Sequence, residues 1–529
     1  MSLFSTRSLP LLCALALMYP QVAAAQIAPE RLDLLKEQAA EGVDGRAKLV
    51  QEMVDSIFSF GELAFQEVET SRYITQILEE NGFVVSRGVV GIPTAWTAVW
   101  TNGTGGPVIA VGSDIDGIPK SSQKPGVARR EPLVEGAPGH GEGHNSGQAV
   151  NVAAALAVKD IMTRENIPGT LMLWPGVAEE PVAAKAFFVR DGLFDEADVV
   201  LFTHVGSNLQ TGWGQQSGTG GISALFTFSG ETAHSAGAPW RGRSALDAVE
   251  LMNVGWNYRR EHLRPEQRSH YVITDGGDFP NVVPSTATVW YYVREQTFDN
   301  IARNFSIAQE MAKGAALMTG TTMTSRIIGT AAPRHMNRPV AEAAFANIQK
   351  VGLPSWSAEE QQFAKAVQKL VEGEQSGLDT TLGDLGVPSP EPRSGGSDDI
   401  GDVSWTKPTI TISFPSNIPN LPGHNWSNAI AMATPIAHKG AVAGAKAMAM
   451  TMLDLFTKPE LIEEAKTYFT QVQTKDQAYQ PVLTDETPYI EMNADIMGDF
   501  REKMRPFYYD PSRYGSYLEQ LGIAWPTMD

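Results

Sequence analysis

Apolar residues in the first half of the chain fall in unbroken runs more often than in alternation. After "TAWTAVWT" come "GPVIAVGSDIDGIP", "GTLMLWPGVAEE" and "ADVVLFTHVG". The last three are continuous, the pattern of strands covered on both faces. Between them lie two stretches read as helices, "SGQAVNVAAALAVKDIMTREN" (146–166) and "PVAAKAFFVRDGLF" (181–194). Strands alternating with helices predict an α/β fold, a mostly parallel central sheet flanked by helices. Ahead of them, residues 27–86 read as helical from the apolar spacing in "RLDLLKEQAAEG" and "SRYITQILEENG".

The texture changes near Ser217. "ISALFTFSG" and "STATVWYYVREQ" alternate apolar with polar, as half-exposed antiparallel strands do, and the helical "GRSALDAVELMNVGWNYRREH" and "FDNIARNFSIAQEMAKGAALMT" accompany them. This predicts an inserted α+β domain over 217–333. The first texture then returns: a Pro-, Gly- and Ser-rich loop leads into a strand, "PTITISFP", and a long helix, "HKGAVAGAKAMAMTMLDLF". The expected layout is a first catalytic segment over 26–216, a second over 334–457, and a C-terminal extension, 458–529. The extension is aromatic enough that it should pack on the body.

The N-terminus follows a different logic. Arg7, the apolar "LPLLCALALMYP" and a small-residue site in "QVAAAQ" read as a signal peptide over residues 1–25, cleaved after Ala25. A periplasmic or secreted protein is therefore expected, with no membrane segment in the mature form. Cys13, the chain's one cysteine, falls inside that segment. A mature chain without thiols has no disulfide, no cysteine nucleophile and no thiolate metal site. With 41 Lys and Arg against 60 Asp and Glu, the net charge is −19, which argues against a nucleic-acid partner.

Polar clusters stand at the ends of the apolar runs, where open α/β sheets place their sites. "SDID" carries Asp114 and Asp116, "AEE" carries Glu179 and Glu180, "FTH" ends on His204, and "LPGHNW" brings His424. "GHGEGHNSG" adds Glu142 and His144 among glycines. A buried strand that ends in a charged group needs a partner for it, and a cation serves all of these at once. The set suits one or two borderline metals held by nitrogen and oxygen. The chain shows no G-x-S-x-G elbow, which disfavours a serine hydrolase. "GHGEGHN" lacks the G-x-G-x-x-G spacing, which disfavours a nicotinamide enzyme.

The order of "DIDGIP", "GHGEGHN", "PGVAEEP…VVLFTH", "ETAHSAGAPW", "PNVVPSTATVWYYVR" and "GSDDIGDVSW…PGHNW" resembles the zinc-dependent aminoacylase/carboxypeptidase family of amidohydrolases over roughly residues 30–455. Within it, the branch of the p-aminobenzoyl-glutamate hydrolases and the auxin-conjugate hydrolases is the most similar. The resemblance implies a catalytic domain with two divalent metal ions, zinc first with manganese or cobalt as substitutes. It also implies an inserted lid domain that forms a homodimer. Carried over by position, Glu142, His144, Glu180, His204 and His424 would be metal ligands and Glu179 the general base. Asp116 would orient a ligand, and His234 would face the scissile carbonyl from the partner subunit. Asn281 and Arg294 would lie near the substrate. The branch usually carries a cysteine where Glu142 stands, so a carboxylate bridge between cations is expected in its place.

The implied reaction is metal-dependent hydrolysis of the amide of an N-acyl or N-aroyl amino acid. Trp240 and Trp426, beside site motifs, are candidate linings for an acyl pocket, and Arg243 is a further candidate for a substrate carboxylate. Two other readings stand beside it: a metallo-exopeptidase acting on dipeptides or short peptides, and a non-catalytic binding protein whose site has decayed at Glu142.

Overall fold

The apolar runs of the first half all join one sheet. In a computed structural model, which describes residues 28–389 and 395–528, the strands are β1 (Val84–Arg87), β2 (Trp96–Asn102), β3 (Val108–Asp114), β4 (Gly169–Gly176) and β5 (Val199–Gly206). A second group follows: β6 (Gly220–Ser229), β7 (Arg268–Asp275), β8 (Thr286–Glu295) and β9 (Thr322–Ala331), and then β10 (Thr409–Pro415). The expected signal segment lies outside the described residues.

Six strands pair in the order β1-β2-β4-β3-β5-β10, with β4, β3, β5 and β10 parallel and β1 and β2 antiparallel at one edge. The sheet is therefore mostly parallel. Helices Gly147–Glu165 and Pro435–Thr457 are buried along nearly their whole length against it. Their alanine and glycine content is the reason they fit, because small side chains let a helix axis approach the strands closely. Gly147 shows how tight this is: a Cβ there would come within 1.7 Å of Ser113 Oγ at the end of β3.

The other four strands form an antiparallel sheet, β7-β8-β6-β9, with β7 at an edge. Alternation along β8 does what period-two patterning requires. Val289, Tyr291 and Val293 are buried against Phe226, Trp256 and the helices Ala245–Arg259 and Phe298–Thr319. Trp290, Tyr292 and Arg294 point the other way and are only partly covered.

One expected element is shorter than its pattern. The stretch 181–194 is helical only over Lys185–Arg190. Val182 has a positive φ of 51°, which a helix cannot accommodate, and the backbone before Lys185 is a turn. Residues 458–528 run over the body as short helices and loops. They are held by Arg501 pairing with buried Glu62, by Tyr509 N–H donating to Ser59 Oγ, and by Tyr517 N–H donating to Asp55 Oδ2. No helix among the described residues is long and apolar enough to cross a membrane.

Candidate metal centre

The carboxyl ends of β3, β4, β5 and β10 point to one side of the sheet, and the loops that follow them carry the charged residues. Gly143 lies between Glu142 and His144 with φ of +120°, a conformation that glycine adopts freely and that turns both side chains toward one point. Ala178 and Val182, both at φ of 51°, bracket Glu179 and Glu180, and His424 is at φ of 48°. Backbone of this kind costs about 1–3 kcal/mol per residue and persists where surrounding structure enforces it, as it does at working sites.

At the centre stands the Glu142 carboxylate. Its Oε1 is 3.6 Å from His204 Nε2, and its Oε2 is 3.6 Å from His144 Nε2 and 3.0 Å from His424 Nε2. His424 Nε2 is also 3.6 Å from Glu180 Oε2. Ligand atoms of Glu142, Glu180 and His424, of Glu142, His144 and Glu179, and of Asp114, His144 and His204 each fall within 4.8 Å of one another. The ring orientations are set from behind. His204 Nδ1 is 2.8 Å from the Val205 carbonyl, and His144 Nδ1 is 3.1 Å from the Asp116 carbonyl and 3.4 Å from Asp116 Oδ1. Both histidines therefore turn Nε2 toward the shared carboxylate, as outer contacts do for metal-binding imidazoles. Asp116 Oδ2 also accepts from the Glu180 N–H at 3.1 Å.

The electrostatics are those of carboxylates crowded out of water. Burial raises Glu179 and Glu180 well above the usual carboxylate range, reinforced by Asp114 and Asp398 for Glu179 and by Glu142 for Glu180. Burial opposes ionisation of Glu142 as well, yet His144, His204 and His424 hold it well below that range. His144 Nε2, Glu142 Oε2 and Glu180 Oε1 are buried without a hydrogen-bond partner. A buried polar atom left unpaired costs about 1–3 kcal/mol, and such atoms aimed at one another around a common point fit a cation. On that test the residues suit one or more divalent ions.

Beneath this cluster lies an ion-pair network to which sequence reasoning assigned no role. Lys185, fully buried, pairs with Asp114 at 2.5 Å and with Asp399, and stands 4.0 Å from Asp398. Burial disfavours its charge, but Asp114, Asp399 and Asp398 hold its pKa well above the ordinary value. Asp398, Asp399 and Glu179 bring carboxylate oxygens within 4.8 Å of one another. Arg334 faces Asp398 at 3.5 Å. The signals were present as "GSDDIGD" and as one lysine amid the apolar "PVAAKAFFV", a position where a charge needs a buried partner.

Two expected residues do not join the cluster of their own chain. His234 and Asn281 are exposed on the loops of the second sheet, where Ser235 N–H donates to the Asn281 carbonyl at 3.0 Å. His234 Nδ1 accepts from the N–H groups of Ala236 and Gly237. Arg294 does reach the cluster and lines a polar cavity of about 230 Å³ with Glu142, Glu179, His204 and Arg334. Trp240 is 74% exposed, Trp426 is half-buried beneath the Arg130 guanidinium, and Arg243 donates to the Trp240 and Gly242 carbonyls. An apolar cavity of about 460 Å³ lies beside the cluster instead, lined by Trp290 and Tyr292.

Residues 218–316 match the family description "Peptidase dimerisation domain". The chain is 32% identical to one of the two kinds of subunit of p-aminobenzoyl-glutamate hydrolase from Escherichia coli, over 85% of its own length and 97% of that protein's. It belongs to the aminoacylase/carboxypeptidase family of amidohydrolases. Xaa-Arg dipeptidase of Mus musculus, a more distant member, is 28% identical over 83% of this chain and 93% of its own. In fold, the chain is similar to the aminobenzoyl-glutamate utilization protein from Klebsiella pneumoniae. The TM-score is 0.53 and the identity 17%, over 78% of this chain and 98% of that one. This amidohydrolase family thus accounts for the mixed sheet, the second antiparallel sheet and the gathered donors together.

Proposed function

We propose that this chain hydrolyses the amide bond between an acyl or aroyl group and an amino acid. In this reading Glu142, His144, Glu180, His204 and His424 hold two divalent cations. The observation that carries it is the Glu142 carboxylate, whose two oxygens face three histidines drawn from separate loops. Zinc is the proposed ion, with manganese or cobalt able to replace it, because an all-nitrogen-and-oxygen donor set holds borderline and harder cations alike. A divalent ion bound there supplies Lewis acidity, polarising a carbonyl and drawing the pKa of water from about 15.7 toward ~7.

The chain's own groups do the rest. Glu179, buried beside the donors, accepts a proton from the attacking water and delivers it to the amide nitrogen as the C–N bond breaks. Water is consumed, and a carboxylic acid and a free amino acid leave. Asp116 holds the His144 ring, and Arg294 meets the carboxylate of the substrate's amino acid. His234 and Asn281 act on the neighbouring subunit's cavity, with His234 hydrogen-bonding the developing oxyanion, which accounts for their exposure here. A homodimer through the second sheet follows, and the exposed edge strand β7, with Val272 and Ile273 outward, is a natural contact. Residues 1–25 serve as an export signal cleaved after Ala25, so the mature enzyme works in the periplasm or outside the cell.

The test is chelation followed by metal analysis and assay. The full mature chain should contain divalent metal by plasma mass spectrometry and cleave p-aminobenzoyl-glutamate and N-acyl amino acids. Chelation should abolish that activity and zinc or manganese should restore it. A chain that neither holds metal nor responds to it overturns the reading. Dipeptide hydrolysis is the second reading, favoured by the relative named for Xaa-Arg dipeptides, and preferential cleavage of such dipeptides would establish it.

A further inference from the structure

Glu180 and His424 line two different cavities, one on each side. The polar one contains Arg294 and Arg334. The other is bounded by Leu63, Ile118, Val272, Trp290, Tyr292 and Met492 and is mostly apolar. The outward face of β8 runs from one to the other: Trp290 and Tyr292 in the apolar cavity, Arg294 two residues on in the polar one. A single strand thus lays out an apolar-to-cationic axis across the donor cluster.

The two aromatic rings are fixed so that their polar atoms are already used. Trp290 Nε1 donates to Ser223 Oγ at 2.9 Å, and Tyr292 Oη donates to the Glu180 carbonyl at 2.7 Å. What remains for a ligand is ring surface, with the rings edge to face at 5.7 Å. Arg294 lies over Tyr292 at 4.7 Å and makes no ion pair or side-chain hydrogen bond among the described residues. A half-buried guanidinium without a carboxylate is suited to receive one. Arg334, whose nearest carboxylate is Asp398 at 3.5 Å, supplies a second cation there.

The far wall of the apolar cavity comes from the C-terminal extension. Gln66 Nε2 donates to the carbonyls of Ile490 and Met492 at 3.1 and 3.0 Å, and Asn493 Nδ2 donates to the Ala64 carbonyl at 3.2 Å. Three hydrogen bonds therefore hold residues 490–493 against the segment that carries Leu63. Buried Met492 is presented to the cavity by a short, fixed stretch of chain, and its flexible thioether shapes itself to what enters.

We propose that this cavity is the acyl subsite and that the C-terminal extension, through Met492, sets its size. The substrate class is then an amino acid carrying a bulky aromatic acyl group. The ring lies on Trp290 and Tyr292, and the carboxylate lies between Arg294 and Arg334. A cavity of about 460 Å³ is in the range of small-ligand sites and far larger than an acetyl group needs. The inference rests on the amide-hydrolysis reading but extends it to orientation and selectivity.

The test uses the full metal-loaded chain with N-acetyl-, N-benzoyl- and N-naphthoyl-glutamate. Wild type should favour benzoyl over acetyl in kcat/KM by at least about tenfold, the discrimination an apolar pocket can provide. Trp290→Leu should lower the benzoyl-to-acetyl ratio about tenfold. Met492→Trp should lower the naphthoyl-to-acetyl ratio by more than it lowers the benzoyl one. Thermal melting checks that both variants fold, and Met492→Phe provides a milder filling if Met492→Trp does not. Ratios that stay unchanged in folded variants overturn the proposal. Benzoate binding, titrated by calorimetry, separates the two readings. If nothing is hydrolysed but benzoate binds to wild type and not to Met492→Trp, the reaction fails and the pocket stands. If amides are hydrolysed without acyl preference, the pocket fails and the reaction stands. Neither hydrolysis nor benzoate binding overturns both.

Discussion

His424 Nε2 stands 3.0 Å from Glu142 Oε2, and the other oxygen of that carboxylate is 3.6 Å from His204 Nε2. Residues 282 positions apart in the chain thus share one carboxylate with a third histidine, His144. This arrangement generates the first expectation. Glu142→Ala removes both shared oxygens at once, so metal content should fall by about half or more and kcat/KM by at least about a hundredfold. Glu142→Asp, which keeps the carboxylate, should recover part of each. Plasma mass spectrometry and steady-state kinetics measure these together.

Glu179→Gln keeps the shape of the side chain but cannot accept a proton. Metal content should remain at the wild-type level while turnover falls by about 10²–10⁴-fold, the range for loss of a positioned base. Full activity in this variant would place the base elsewhere.

His144 and His424 should separate by stability. His144 is buried and His424 is 62% exposed. His144→Ala should lose metal and also lower the melting temperature of the chelated protein. His424→Ala should lose metal and activity while the chelated protein melts as the wild type does. Calorimetry on chelated samples makes the comparison.

Lys185 neutralises Asp114 and Asp399 inside the body. Lys185→Met leaves those carboxylates buried and uncompensated, a change that costs about 3–5 kcal/mol. Burial already raises Asp399 to about 7 despite Lys185, and loss of the lysine raises it further. A carboxyl whose folded pKa lies above its unfolded one loses stability as pH rises between the two values. The variant's deficit should therefore be larger at pH 8 than at pH 6, as measured by denaturant unfolding.

His335 provides a pH test away from the cluster. Burial holds it down to about 4, where its Nε2 lies 3.2 Å from Tyr468 Oη of the C-terminal extension. The unfolded chain takes up this proton near 6.5. Stability from the neutral ring is therefore complete above that pH and is lost as pH falls from 6.5 toward 4. At 1.36 kcal/mol per unit the full loss is about 3 kcal/mol. Wild type should lose more stability than His335→Gln between pH 7.5 and 4.5.

Much of the first sheet is legible in the sequence because buried parallel strands must be apolar throughout. The runs that end in Asp114, Glu179 and His204 are β3, the turn after β4, and β5. β7 and β9 are not legible, because "RSHYVITD" and "TMTSRIIGTA" are short, mixed in polarity and largely exposed. The helix expected over 181–194 is shortened by a strained turn that no periodicity reports. Lys185 is silent for a related reason: a lysine in an apolar stretch carries no sign of which carboxylates will surround it.

What the sequence determined alone is chemical and local: the strand-and-helix alternation, the residue types able to hold a cation, and the glycine that lets Glu142 and His144 turn together. These follow from backbone preference and side-chain chemistry, which act within a few residues. The tertiary structure decided which distant groups meet. It set Glu142 among three histidines, placed Lys185 beneath them, kept His234 and Asn281 at the surface, and folded Met492 against Trp290's cavity. Those outcomes depend on how helices and sheets pack to exclude water, and packing is a property of the whole chain, not of any stretch of it.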